Sequence, residues 1–212
     1  MKTAIVYKTV SGYTERYAHI LRDRLKQDEV TLIPLDKFKP KMLNDCDRAV
    51  FMSRVINGSI DGFKTVVKHA QLFASKYTAV VAVGMTKPTD EHYHVVEKAN
   101  IPYKLKGIPL FVVRGGFDAD KLKGGNKMMI NMMKTRLVKS PSRTPEEMAM
   151  LNFLAAKTDK VDASQLDGLI GYLDSGVFNP PPADTEFPQS EYWADLEEYM
   201  PAGYKKPAED KR

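Results

Sequence analysis

Five short apolar runs punctuate the chain, at 3–7, 30–35, 49–52, 78–83 and 108–113, each closed by turn residues. They are rich in Val, Ile, Tyr or Phe and show little polar alternation, which predicts strands buried on both faces. Between them apolar residues recur at helical spacing: Tyr17, Leu21 and Leu25, then Phe63, Val66, Val67, Ala70 and Phe73. Strand, helix, strand in succession predicts an α/β protein, a doubly wound five-stranded parallel sheet with helices on both faces.

Two departures from simple alternation are visible. Residues 36–48 contain Pro40 and are short for a helix, so Met42-Leu43 supplies at most a brief turn. After the fifth strand, 127–138 and 145–157 read as two helices before a closing helix at 163–173, an extra helical insertion. Pro180-Pro181-Pro182, Pro188, Pro201 and Pro207 then exclude regular helix or internal strand over most of the remainder. This divides the chain into a domain, 1–174, and an extended C-terminal tail, 175–212. Phe187, Tyr192, Trp193, Tyr199 and Tyr204 are many aromatics for a solvated tail, and predict that part of it packs on the domain or on a second copy, a homodimer through the tail, with a disordered tail as the alternative.

Composition narrows the class. With 212 residues, 43% of them apolar, the chain can close one substantial core. Cys46 is the single cysteine, so disulfides and Cys-based metal sites lack partners and a reducing, cytoplasmic setting is expected. No stretch approaches about 18 consecutive apolar residues and the start lacks a signal-peptide run, so no transmembrane segment is expected, at most peripheral membrane contact. The net charge of +5 favours anionic partners, yet the cations stand in scattered pairs with no basic stripe interleaved with aromatics, so no nucleic-acid partner is expected. His19, His69, His92 and His94 offer no metal-binding spacing, and no metal is expected. Neither a Gly-x-Ser-x-Gly elbow nor an acidic pair after the first strand is present, which removes hydrolase and phosphoacceptor readings.

The chemistry concentrates after the first strand, in Thr9-Val10-Ser11-Gly12-Tyr13-Thr14. Three hydroxyls, loop N–H groups and the N-terminal end of the next helix converge there, and Gly12 permits a tight turn, which together suit a phosphate ester. An ordinary βα turn with a helix-capping Ser or Thr has the same composition. The loop lacks the Gly-Lys-Ser/Thr ending of a triphosphate cradle and the G-x-G-x-x-G of dinucleotide binders.

This stretch, with Ile5-Val6-Tyr7-Lys8 before it and Glu15 and Ala18 after it, resembles the phosphate-loop signature of the flavodoxin-like, flavin mononucleotide (FMN)-binding family. The resemblance implies that Thr9, Ser11, Gly12 and Thr14, with backbone of Val10 and Tyr13, hold the FMN phosphate. It further implies that Ser53-Arg54-Val55-Ile56-Asn57-Gly58 and Gly84-Met85-Thr86-Lys87 wrap the isoalloxazine ring, with Asn57-Gly58 either a plain turn or a turn whose peptide responds to the flavin's redox state. The segment 109–118 and the Met-rich stretch behind it are similar to the branch that includes menaquinone-dependent protoporphyrinogen oxidase.

Where that family stacks aromatics on the ring, the loop 53–62 carries none, leaving Tyr93, His92 or His94 as candidates and one ring face open. An open face suits an FMN-dependent oxidoreductase acting on a small molecule such as a quinone or porphyrinogen; an electron-transfer protein needs only an exposed flavin edge and a redox partner protein. A non-redox binding module that has lost flavin would leave the hydroxyl loop unexplained. Met128, Met129, Met132 and Met133 form adjacent ridges suited either to core packing or to a flat apolar ligand. Arg114, Lys87 and Lys127 are cations that either meet a substrate carboxylate or the reduced flavin, or remain solvated.

Overall fold

A computed structural model describes residues 1–56, 58–85, 87–182 and 199–201. The chain forms two units, Met1–Gly116 with Asp159–Phe187, and Phe117–Thr158 with Pro188–Arg212.

The first unit carries the sheet. Strands β1 (Lys2–Lys8), β2 (Glu29–Pro34), β3 (Arg48–Ile56), β5 (Tyr77–Gly84) and β6 (Leu110–Arg114) lie in the order β2-β1-β3-β5-β6, all parallel. A two-residue strand β4 (Ser59–Ile60) folds back antiparallel on β3, with Val55 opposite Ile60 and Ile56 opposite Ser59. The chain therefore winds from β1 outward to β2, then returns across the sheet to β3, and the reversal of direction opens a crevice between β1 and β3 at their C-terminal ends.

Both faces are covered, as continuous apolar strands require. One layer packs Ala4, Val6, Phe51, Val80 and Ala82 against Phe63, Val66, Phe73, Tyr93 and Val96. The opposite layer packs Ile5, Val50, Met52 and Val81 against Tyr17, Leu21, Leu169 and Leu173. The covering helices are α1 (Tyr13–Arg24), α4 (Asp90–Asn100) and α7 (Asp167–Ser175), with α2 (Lys64–Lys68) and α3 (Ala70–Ala74).

The expected helix across 63–73 is thus two short pieces. His69, at φ −110° and ψ 33°, breaks the helical run, and its ring meets Phe38 edge-on at 6.4 Å. Residues 36–48 form 3₁₀ turns at Leu35–Lys37 and Pro40–Leu43, in keeping with Pro40. The closing helix begins later than its apolar spacing suggested, because Ala163–Leu166 is a 3₁₀ turn in which Asp162 caps Ser164. Just beyond α7, Phe178 packs on Phe111 at 5.3 Å and on Tyr172 at 6.3 Å, so the start of the Pro-rich stretch is docked.

The second unit holds the helical insertion. α5 (Gly124–Lys139) and α6 (Pro145–Ala155) pack together, and α6 starts on a reciprocal cap in which Thr144 and Glu147 each satisfy the other's backbone N–H. Phe117 stacks on Phe153 at 4.9 Å, and Phe153 meets Tyr199 edge-on at 5.2 Å. Of Phe187, Tyr192, Trp193, Tyr199 and Tyr204, only Tyr199 is among the described residues.

Candidate functional site

Parallel register brings the three sequence-predicted segments to one end of the sheet. Lys8 of β1 is level with Ser53 of β3, and Ser53 and Arg54 are level with Ala82 and Val83 of β5. The loops leaving these strands therefore start side by side, about 5 Å from one strand to the next.

The first loop turns tightly. Gly12 sits at φ 88°, in the left-handed region, and its N–H donates to Thr9 Oγ1 at 3.0 Å, closing Thr9–Gly12 into a compact bend. α1 follows at once, and its first intrahelical bond runs from Arg16 N–H to Gly12 C=O at 3.0 Å. The N–H groups of Thr14 and Glu15 thus have no intrahelical acceptor and point with the helix dipole toward the crevice. Thr14 is 2% exposed, and Thr9, Val10 and Ser11 are half-buried. Tyr7 Oη donates to Glu15 Oε1 at 3.0 Å, fastening strand to helix on either side of the bend; burial and the Glu15 carboxylate both push that phenol's pKa up.

The second segment differs from its expected form. Ser53 to Ile56 continue β3 instead of forming a loop, because Val55 and Ile56 pair with β4. Val55 packs into the core layer and Ser53 Oγ donates to Asp61 C=O at 2.6 Å, so these two side chains are structural. The turn itself is reduced to Gly58, at φ 75°, and Asn57, which lies outside the described residues. Ile56, 38% exposed, and Arg54 remain on the accessible side.

Two residues absent from the sequence expectations, Asp61 and Asn100, fix this hairpin. Asp61 accepts from Lys8 Nζ at 2.6 Å and from Arg54 Nε at 3.1 Å, tying the start of the first loop to the second. Burial pushes the Asp61 carboxyl up, but Lys8 and Arg54 outweigh it and hold it below the ordinary carboxylate range. Asn100, from the last turn of α4, donates through Nδ2 to Gly58 C=O at 2.7 Å and accepts Ile60 N–H at 2.7 Å. Asp61-Gly62 was detectable as a turn; nothing in local sequence marks Asn100.

The third segment is held by a network behind it. Arg114 Nε donates to Met85 C=O at 2.9 Å, which makes Arg114 a clamp on the loop after β5. Its own backbone is fixed by Gln165 Oε1, and Tyr17 Oη donates to Arg114 C=O at 2.7 Å while accepting from Gln165 Nε2. Burial, the largest influence, raises the Tyr17 pKa, so it serves as a neutral relay of hydrogen bonds. Gly84 is buried, Lys87 is exposed, and Thr86 lies outside the described residues.

The aromatic candidates resolve differently. Tyr93 is 5% exposed and belongs to the core layer, His92 is 8% exposed, and His94 Nε2 lies 2.9 Å from Pro182 C=O. Lys127 and the four methionines sit on α5 in the second unit, where Met128, Met129, Met132 and Met133 are 40–64% exposed, so the core-packing reading of that ridge fails. Among the described residues no cluster of three His, Cys, Asp or Glu could hold a metal, and no helix is long and apolar enough to cross a membrane.

Residues 4–144 match the model of the flavodoxin domain family, about two-thirds of the chain. This chain belongs to the flavodoxin domain family. No curated protein matches its sequence. Among solved structures, an archaeal flavodoxin aligns at 18% identity over 54% of this chain and 82% of that one, with TM-score 0.39. The rubredoxin:oxygen oxidoreductase of Desulfovibrio gigas aligns at 15% identity over 60% of this chain and 32% of that one, TM-score 0.39, so this chain spans about a third of that protein. A Fusobacterium nucleatum flavodoxin mutant bound to flavin mononucleotide aligns at 17% identity over 56% and 71%, TM-score 0.35. FMN is the cofactor of the flavodoxin domain, and the tight bend at Gly12, with open space where a Cβ would stand, fits its phosphate in this flavodoxin-domain chain.

Proposed function

We propose that this protein is a redox protein that binds FMN with its phosphate in the Thr9–Thr14 bend and its ring between the segments ending β3 and β5. One observation carries the reading: the Thr9–Gly12 bend, with the α1 N-terminus behind it, opens on the crevice beside β3. FMN supplies one- and two-electron chemistry when bound. The chain's residues supply the rest. The hydroxyls of Ser11 and Thr14 and the N–H groups of Thr14 and Glu15 donate hydrogen bonds to the phosphate. Gly58, Ile56, Arg54, Met85 and Lys87 border the ring, and Asp61, Asn100 and Arg114 keep those segments in place.

A flavin titration of the purified protein tests this. FMN is expected to bind saturably and far more tightly than riboflavin, which lacks the phosphate. Replacing Thr14 with Val keeps the volume and removes the hydroxyl, and should weaken FMN about tenfold, on the order of 1.4 kcal/mol for a lost hydrogen bond to a charged group, with riboflavin unaffected. Equal affinity for the two flavins would defeat the phosphate assignment.

An FMN-dependent oxidoreductase acting on a quinone or porphyrinogen-like substrate is favoured over pure electron transfer to a redox partner protein by one feature. No aromatic side chain stands between Ser53 and Gly62, and Tyr93 is committed to the core, so substrate has room over the ring. Turnover of a quinone by the reduced protein without any protein partner supports the enzyme; reactivity confined to one-electron protein acceptors supports the carrier. A chain that takes up neither flavin is instead a non-redox binding module.

A further inference from the structure

We propose that the outer face of α5 is a docking surface for this chain's own acidic, aromatic segment 191–198. The face is unusual for a protein surface. Met128 is 64% exposed, Met129 52%, Met132 60% and Met133 40%, and no residue of the 16-residue helix is buried. Met128, Met132 and Arg136 are spaced four apart and share one side of the helix, along an open groove of about 620 Å³ that Lys127 and Asn131 also line. Exposed apolar ridges of this extent mark interaction sites more often than bare surface.

Charge identifies the occupant. From Lys121 to Arg143 there are seven lysines and arginines and no acidic residue. From Asp184 to Glu198 the balance is reversed, with six acidic residues and no basic one. Within that acidic run Tyr192, Trp193 and Leu196, continued by Tyr199 and Met200, follow the i, i+4, i+7 spacing of one apolar helical face, with Glu191, Asp195 and Glu198 outside that set. An apolar stripe flanked by acids is the complement of a methionine stripe flanked by bases, and flexible methionines adapt well to aromatic partners.

The segment is also tethered beside its target. Tyr199 packs edge-on against Phe153 of α6 at 5.2 Å, and Asn152 Nδ2 donates to Tyr199 C=O at 3.0 Å. α6 is the helix on which α5 packs. As a helix the seven residues 192–198 span about 10 Å from that anchor, enough to lie along nearly half of the roughly 24 Å length of a 16-residue helix, and their extended limit is about 25 Å. Tethering gives the segment a high effective concentration over any free competitor.

Trp193 is the only tryptophan, so its fluorescence in the full chain reads the contact directly, with and without bound FMN. The expected result is blue-shifted emission, poorly quenched by iodide, that becomes water-like and readily quenched in M128K/M132K while flavin affinity is unchanged. K127E/R136E/K139E should act in the same direction, and adding E191K/D195K/E198K to it should restore the blue shift. Water-like emission in the native chain, or emission that ignores the methionine substitutions, overturns the proposal. So does a blue shift that grows with protein concentration, which assigns the face to a second copy, or one lost on adding phosphatidylglycerol vesicles, which assigns it to lipid. Failure to bind FMN would leave these readouts untouched.

Discussion

At the level of single residues, charge placement separates structural ions from those at the site. Arg48 and Asp28 are 9% and 11% exposed and paired at 2.7 Å; Arg48 also donates to Leu173 C=O at 2.6 Å, and Thr3 Oγ1 donates to Asp28. This cluster lies at the N-terminal edge of the sheet, opposite the crevice, and its role is to join β1, β3 and α7. Removing one member leaves a buried charge without its partner, so Arg48→Met should cost about 3 kcal/mol, read as a lowered urea midpoint, with FMN affinity preserved. Asp61, with Lys8 and Arg54, stands at the crevice and is more accessible. Asp61→Asn should cost only about 1 kcal/mol of stability, while releasing two cations toward the ring; the expected outcome is a higher flavin reduction potential in a potentiometric titration. Gly12 belongs at this scale too. A Cβ there meets no protein atom within 4 Å, so in the flavin-free protein Gly12→Ala tests backbone strain alone, at about 1–2 kcal/mol for the left-handed conformation, read as a lowered urea midpoint.

At the level of elements, the five strands were legible as unbroken apolar runs closed by turn residues, α1 as apolar residues at helical spacing, and the inserted helices only as stretches free of internal Pro and Gly between breakers. The first site loop was legible for a related reason: its hydroxyls and glycine are contiguous, and contiguity is what a sequence displays. The β3–β4 hairpin was not, since Val55 and Ile56 join a strand only through pairing with Ser59 and Ile60. The contribution of Asn100, 42 residues from Gly58, exists only after folding. The same holds for Arg114, whose contact with Met85 turns a candidate substrate cation into a loop clamp. Tyr93 and His92 fall on α4, and a helix can present only part of its circumference to a site. If Asn100 is what holds the hairpin, Asn100→Leu should speed hydrogen exchange at Ile60, whose N–H bonds to that side chain, and leave the β1 amides protected. Equal exchange in both proteins would show that the β3–β4 pairing suffices.

At the level of the whole molecule, the sheet order explains why residues from three distant segments meet: every loop of the site leaves a C-terminal strand end on one edge of the crevice. The acid response of the fold follows from the same layout. Burial pushes the carboxyls of Asp28 and Asp61 up, but hydrogen bonds and cations, from Thr3 and Arg48 in one case and Lys8 and Arg54 in the other, bring both below their ordinary value. A carboxyl with a folded pKa depressed below the unfolded one adds stability above the unfolded value, and loses it as pH falls through the folded one. Urea midpoints should therefore stay level from neutral pH down to about 5 and drop below about 4, near the unfolded carboxylate pKa. Asp28→Asn is expected to be less stable at pH 7 and to show a shallower acid limb, because one of the linked protons is gone. Parallel acid limbs in the two proteins would exclude Asp28 as a source of the acid sensitivity and leave Asp61, whose Asn variant repeats the test at the site end of the sheet.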